Sequence, residues 1–571
     1  MSTSSSARVR AFCARYWPEL LAVAAALVFA LRIIAHAWFL PPSRVYLGFV
    51  QVDQPVYYAC AREYVESGNG LFAANPYSNL PDSRRHYSHL YFLLVGWIWR
   101  LTGVSFSVID GGVRVLFGPI MLLLAARIFR FLHGWRRGAN PLLALMLLGG
   151  GLAWATALFS TTVNVLVGQL NKTPSDSWLS LLWFLFTREF STAEGGYGDW
   201  QVQLFRNLFY SPEICYHILF FGAVLFCMKR AFAAGCVTVF LAWWAHPYTG
   251  LEVSLILASW LVVEWARGNR PCLRPFAAIV AINALFALYY GVFLARDPEH
   301  RSVYQQMQNF PAVMLLSQIV SAYGLLAPLA LAAFLPPRFS EQWKRSEFRL
   351  AVVWAVVAAL LNYQDKILPR GYGMQPLHFS HGYLYVPLAL LATEGLESVL
   401  RMWRPLHAER LIVSCAVALF FLHLPDNLIW CTRNVTCLPR TSILFAPPKA
   451  DIELLNALDK LPTTETVLVD DLPPATSFFV PLIPVLTHHR SVNSHLFNTP
   501  FAEEKRQMLD EFRSTPTLEL VRRMHATAVL SSPRRAEVLK HALGENVEEI
   551  KLGFPHAVLF KVRTHTAEKS E

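Results

Sequence analysis

The chain has 571 residues, of which 54% are hydrophobic and only 16% charged, and its net charge is +11. An ordinary soluble domain is about 45–50% apolar and about 25% charged, so a disordered chain, a coiled coil and a typical soluble enzyme are excluded. The apolar residues fall in blocks near the roughly 20-residue length that crosses a bilayer, which makes a polytopic α-helical membrane protein the first expectation.

In chain order, Arg8, Arg10 and Arg15 precede an apolar run at 20–40. That run is too long for a cleaved signal. It reads as a retained span of an inner or plasma membrane protein with a cytoplasmic N-terminus. A polar segment, about 41–89, is far longer than an interhelical turn and reads as a structured outer loop. Apolar runs then recur at about 90–104, 113–132, 141–160, 178–190, 214–234, 236–265, 274–295, 311–335, 347–364, 378–400 and 409–430, giving about 10–12 spans. The run 236–265 is one long helix or two short ones broken at His246-Pro247, and 178–190 is short enough to be re-entrant. One conflict arises: Arg127, Arg130, Arg136 and Arg137 look cytoplasmic, yet strict alternation puts them outside if 90–104 and 113–132 both cross.

Character changes after Cys437. Residues 441–571 hold 15 basic and 17 acidic side chains, so the whole positive excess, +13, belongs to 1–440. The pattern after 441 predicts helices at 452–461, 501–512, 518–524 and 534–543. It predicts strands at 466–469 and 528–530 and a closing strand pair at 547–552 and 557–562, with a loop or short helix at 475–485. Strands alternating with helices suggest a small sheet covered by helices. The expected architecture is a transmembrane domain at 1–440 and a soluble α/β domain at 441–571 on the periplasmic or extracytoplasmic side. No Gly-rich phosphate loop is visible in it. Asp470-Asp471 and His488-His489 have no recognisable partners. Among nine cysteines there is no CxxC, and Cys431 and Cys437, flanking a polar turn, are a candidate disulfide.

The first outer loop carries the densest chemistry: Asp53-Gln54-Pro55-Val56-Tyr57-Tyr58, then Arg62, Glu63 and Tyr64, then Asn75-Pro76-Tyr77-Ser78, then Arg84, Arg85, His86, Tyr87 and His89. Tyr57, Ala61 and Tyr64 fall at helical spacing, which predicts a short surface helix. Glycosyl transfer needs a carboxylate near the anomeric carbon to activate the acceptor. It also needs cations for the leaving phosphate, for which Arg forks are suited; Arg62, Arg84, Arg85 and Arg206 are candidates. Tyr57 and Tyr58 offer rings to a sugar face. The plainer alternative is that Asp53 caps a helix and the arginines meet lipid headgroups.

Ionisable groups inside spans are costly and usually face a cavity. Arg206, Asn207, Tyr210, Glu213 and His217 open one run. His246, Tyr248, Thr249 and Glu252 interrupt another, Asp365, Lys366 and Arg370 lie in a loop, and Gln375, His378, His381, Tyr383 and Tyr385 open a late run. His378 and His381, spaced i,i+3, share a helix face, but a third metal ligand is not evident. Glu213 is either a second carboxylate or a charge favoured by a helix N-terminus.

The loop resembles the first loop of the GT-C superfamily of integral-membrane glycosyltransferases. There an acidic residue follows the first span, then a juxtamembrane helix with Tyr, an Asn-Pro-Tyr-like turn and the second span. The layout of many spans and a C-terminal α/β domain is similar too. The resemblance implies transfer of a sugar from a polyprenyl-phosphate-linked donor at the outer membrane face, with Asp53 as general base or acceptor-orienting carboxylate. Cation-dependent members carry a second, paired acidic motif. Here only Glu194 and Asp199 offer a weak counterpart, so the expectation is no cofactor, as in the protein mannosyltransferase and aminoarabinose transferase types. Expected partners are the lipid-linked donor, a lipid, glycan or protein acceptor, and membrane lipid. No recognition motif accompanies the basic charge, so nucleic acid is not expected. The competing readings are a transporter or flippase, which usually shows an internal repeat that is not seen here, and a non-catalytic membrane scaffold.

Overall fold

The computed structural model describes residues 5–136, 138–166, 190, 201–308, 315–336, 338–368, 374–403, 405–438, 442–472, 479–493, 495 and 498–563. The chain divides into two compact units. One holds Met1–Ile34, Gly111–Ala287 and Phe310–Cys437; the other holds Ala35–Asp110, Leu288–Asn309 and Leu438–Glu571.

The first unit is helical. Among the described residues of the whole chain, six helices are long and apolar enough to cross a membrane: Arg8–Phe39, Phe106–His133, Ser211–Met228, Pro247–Ala266, Arg270–Arg296 and Ala408–Thr436. A bent pair, Ala139–Leu148 with Ala153–Val163, turns by 72° and brings the number to seven. The protein is a multi-pass integral membrane protein. The described spans are fewer than 10–12 partly because apolar runs break. The 236–265 run is two helices, Phe232–Ala245 and Pro247–Ala266, with His246 in extended backbone between them. Pro247 cannot donate the helical hydrogen bond and restricts the residue before it, so the break falls there. The 178–189 part of the candidate re-entrant run, together with Glu194 and Asp199, lies outside the described residues. So do Arg137 and Arg370.

Several buried charges in this unit are paired. Glu264 bonds Arg349 at 2.5 Å, and Arg130 bonds Glu19 at 2.9 Å. Glu394 and Glu397, one turn apart on helix Tyr385–Trp403, gather His133, Arg136, Arg338 and Arg345. Arg130 and Arg136, from the basic cluster that conflicted with strict alternation, are thus held by internal carboxylates. Close helix approach is set by small residues: a Cβ on Gly395 would meet the Leu329 carbonyl at 1.8 Å.

The second unit is built around a five-stranded sheet of order β2-β1-β3-β5-β4. Here β1 is Thr466–Val469, β2 Arg490–Ser491, β3 Ala528–Ser531, β4 Val547–Ile550 and β5 Val558–Val562. Strand β1 pairs in parallel with β2 and β3, and β5 runs antiparallel to β3 and β4. Helices Ala502–Ser514, Leu518–Arg523 and Pro533–Leu543 bury Phe512, Val521 and Leu539 against Val529 and Phe560. The same unit contains the first loop. Val45 and Leu47 donate to the carbonyls of Pro447 and Phe445 at 3.0 Å, Arg490 pairs with Glu63 at 3.2 Å, and Asn79 donates to the Met524 carbonyl. Helices Gln54–Glu66 and Leu90–Thr102 pack closely enough that a Cβ on Gly96 would lie 2.1 Å from the Ala61 carbonyl oxygen.

Two pairs without an evident role in the sequence acquire structural ones. Asp470 accepts from Arg535 at 2.5 Å and from Ser531 at 3.1 Å, and Asp471 accepts from the Ser532 hydroxyl. His488 meets Asp459 at 3.0 Å, while His489 receives the Glu465 N–H and donates to the Leu458 carbonyl. Cys431 and Cys437 are not joined by a disulfide. Helix Ala408–Cys431 runs on through a π-helical segment, Thr432–Thr436. Helical rise would set the two cysteines about 9 Å apart, beyond the roughly 7 Å that a disulfide spans.

Candidate functional site

Asp53 occupies the N-cap position of helix Gln54–Glu66, but its side chain makes no capping bond. The helix starts without it because Pro55 lacks an N–H and because the Asp53 backbone carbonyl accepts from Val56 at 3.0 Å. The carboxylate is left for other partners. Oδ2 accepts from Gln51 Nε2 at 3.1 Å, and Oδ1 lies 3.4 Å from Nε2 of His495. The Asp53 side chain is 31% exposed and that of His495 3%. Burial pushes the Asp53 carboxyl above the usual carboxylate range, and neighbouring His495 draws it part of the way back. Burial likewise lowers the His495 imidazole, against a raising effect of Asp53.

The other loop residues divide by how far their side chains are committed. Tyr58 is buried between Phe49 and Phe106 and donates to Asp110 at 2.5 Å. Arg62 binds Glu66 at 2.5 Å, lies 3.8 Å from Asp459 and sits over Trp99. Asn75 accepts from the Tyr77 N–H at 2.9 Å and donates to the Asn498 carbonyl at 3.0 Å. Tyr77 is buried, with its hydroxyl donating to the Pro481 carbonyl and its ring tilted against His495. Tyr57 stacks on Phe92, and so does His89. Arg84 and Arg85 are exposed and form no ion pair among the described residues. Of the loop's candidate phosphate cations, these two stand open.

A second polar cluster forms in the first unit. Glu213 lies in the first turn of helix Ser211–Met228, and its Oε2 lies 3.8 Å from His217 Nδ1 and 3.9 Å from His381 Nδ1. His217 stacks on Tyr383 at 4.5 Å. The Tyr383 hydroxyl is 3.0 Å from Thr249 Oγ1, which is 2.9 Å from His246 Nδ1. His246 stacks face to face on Tyr216, and His378 on Tyr248. Gln375 accepts from His378 Nε2 at 2.8 Å. Nine residues singled out in three separate sequence segments therefore share one neighbourhood. Glu252 adds a fully buried carboxylate whose oxygens have no hydrogen-bond partner among the described residues. No group of three or more His, Cys, Asp or Glu side chains suited to a metal occurs among the described residues.

Arg206 is committed elsewhere. Fully buried, it binds Asp426 through Nη2 and Asn427 through Nε, both at 2.9 Å, and lies over Trp430. Asp426 also accepts the backbone N–H groups of Gly151 at 2.8 Å and Trp154 at 3.2 Å. Sequence reasoning missed Asp426 and His495. The polar run Pro425-Asp426-Asn427 inside an apolar stretch was the available signal for the first. For His495 there was none, since it lies some 440 positions from Asp53 in the sequence.

No family model and no curated protein matches the chain. Among solved structures it is similar to ArnT from Cupriavidus metallidurans in the apo state, with 12% identity, a TM-score of 0.46 and coverage of 95% of this chain and 97% of that one. The same protein bound to undecaprenyl phosphate gives 13% identity and a TM-score of 0.45, again over 95% and 97%. The oligosaccharyltransferase AglB from Archaeoglobus fulgidus, in complex with an inhibitory peptide and a dolichol-phosphate, gives 12% identity and a TM-score of 0.43, over 93% of this chain and 71% of that one.

Proposed function

We propose that the protein is a membrane glycosyltransferase that moves a sugar from a polyprenyl-phosphate-linked donor to an acceptor at the outer membrane face, with its N-terminus cytoplasmic. Asp53 acts as general base or as the carboxylate that orients the acceptor. The observation that carries the reading is the state of this carboxylate. It sits where a cap would sit, does no capping, is recessed but not sealed, and has its pKa raised by burial. In the reaction Asp53 takes the proton of an acceptor hydroxyl or amine. The acceptor atom bonds the anomeric carbon, and the bond from that carbon to the phosphate oxygen breaks, so that polyprenyl phosphate leaves with the electron pair. Arg84 and Arg85, exposed and outside any described ion pair, are the cations that meet the phosphate. In this reading no divalent cation takes part.

The test is to reconstitute the pure protein with lipid-linked sugars extracted from its native membrane and to quantify free polyprenyl phosphate by mass spectrometry. Acceptor-dependent release that survives EDTA supports the proposal. Lipid or solute flux across proteoliposomes with no release favours the transporter reading instead.

A further inference from the structure

His495 belongs to the segment that follows β2, in the C-terminal part of the chain, and its ring is held in one orientation from both sides. On the Nδ1 side, the Asn498 backbone N–H donates at 3.2 Å and the Asn498 side-chain nitrogen lies at 3.1 Å. A backbone N–H can only donate, so Nδ1 must offer its lone pair, and the proton of the neutral ring resides on Nε2. On that side the Val52 carbonyl accepts at 3.1 Å, and Asp53 Oδ1 lies 3.4 Å away. The backbone of His495 is itself clamped. His495 N donates to Thr499 Oγ1 at 2.9 Å, Thr499 N donates to the His495 carbonyl at 3.3 Å, and Asn75 holds the Asn498 carbonyl.

This arrangement does not resemble a packing histidine. A ring needed only for volume does not require a fixed tautomer, and one needed only as a cation would not have two donors aimed at Nδ1. What the clamp produces is a neutral N–H donor beside the carboxylate proposed to be reactive. We propose that His495 is a positioning residue for Asp53, a neutral Nε2–H donor that orients the carboxylate and stabilises its ionised form, so that the C-terminal domain supplies part of the reactive centre. The inference rests on the reading of Asp53 given above. The 3.4 Å separation is longer than a made hydrogen bond. Such contacts commonly close only when substrate is bound, and a small movement of the partly exposed Asp53 side chain suffices.

A hydrogen bond to a charged carboxylate favours ionisation, and that gives the inference a signature which simple packing lacks. Among the described residues, the titratable groups that face Asp53 are His495 and Tyr77. Burial holds the Tyr77 hydroxyl well above its usual range, so it remains neutral throughout the accessible pH. Removing the His495 donor should therefore raise the Asp53 pKa and move the acid limb of the kcat profile to higher pH.

The experiment compares wild type, His495→Gln, His495→Met and Asp53→Asn as full-length protein in lipid nanodiscs. The readouts are kcat, donor KM, the pH profile and the thermal midpoint. Gln retains an N–H donor near the Nε2 position, whereas Met fills the volume without one. We expect His495→Met to lose about tenfold or more in kcat, with little change in KM, and to shift the acid limb upward. His495→Gln should recover most of kcat and the original limb. The inference is overturned if Met matches wild type in kcat and profile, or if Gln and Met are equally impaired at equal thermal midpoints. If Asp53→Asn keeps full turnover, the reading beneath it fails instead. An inactive Asp53→Asn beside an unaffected His495→Met rejects the role of His495 alone.

Discussion

The Arg206–Asp426 pair offers the sharpest test of how the membrane unit is held. Both side chains are fully buried. Asp426 accepts from Arg206 at 2.9 Å and from two backbone N–H groups, those of Gly151 and Trp154. Asp426→Ala removes the anionic partner of the buried guanidinium and the acceptor of both N–H groups. Breaking a buried pair from one side costs about 3–5 kcal/mol. Asp426→Asn keeps an acceptor for one backbone N–H and loses the charge and the acceptor of the other, so about 1.5–3 kcal/mol is expected. Arg206→Met with Asp426→Asn removes both charges together, and the cycle should return a coupling energy of about 1–3 kcal/mol. The assay is unfolding of the purified protein in mixed micelles by SDS titration, followed by circular dichroism. Because Arg206 is occupied by protein groups, the folded fraction of each variant should keep the donor KM of wild type. The reasoning is refuted if Asp426→Ala stays within about 0.5 kcal/mol of wild type, or if Arg206→Met raises donor KM at unchanged stability, which would make Arg206 a phosphate ligand.

Three further outcomes are expected. Lys505 is 4% exposed, and its ammonium has no hydrogen-bond partner among the described residues. Burial pulls its pKa down to about 8, against a raising effect of Glu299, so folding must hold a charge it disfavours. Lys505→Met should therefore stabilise at pH 7 by about 2–4 kcal/mol. Because the folded pKa lies below the unfolded one, wild-type stability should rise between about pH 8 and pH 10.5 while the variant stays flat, as thermal midpoints would show. Glu465 is the opposite case. Burial disfavours its charge, but Lys561, Thr463 and Thr527 outweigh that and hold its pKa below the ordinary value. Their stabilisation is present above the unfolded value of about 4.3 and lost as pH falls through the folded one, so Glu465→Gln should destabilise at pH 7 and match wild type at strongly acid pH. Tyr58→Phe deletes the bond to buried Asp110, which retains Gln54 at 3.1 Å; it should cost about 1.5–3 kcal/mol in stability and leave donor KM unchanged.

Much of the secondary structure was readable in sequence because local pattern determines it. The strands around Val467, Val529 and Phe560, and the helices carrying Phe512, Val521 and Leu539, follow directly from apolar periodicity and turn residues. The two-residue strand β2 did not, since Arg490–Ser491 is too short to show a period. The break at His246 was legible as one of two alternatives because Pro247 imposes it. Charge was less transparent. Arg62 and Arg206 read as phosphate ligands from residue type alone, yet both are held by carboxylates, Glu66 and Asp426, and a one-dimensional pattern does not reveal such pairing. Asp53 was visible through its place after the first span, whereas His495 was not, because tertiary folding alone brings residue 495 to residue 53.

The central claim is that the Asp53 carboxylate drives sugar transfer from a polyprenyl-phosphate-linked donor. The most direct measurement is single-turnover release of polyprenyl phosphate by wild-type protein and Asp53→Asn, purified to equal thermal midpoints and given the same lipid-linked sugar pool with acceptor. The account predicts release by wild type and a fall of about a hundredfold or more for Asp53→Asn. Equal release by the two proteins would contradict it.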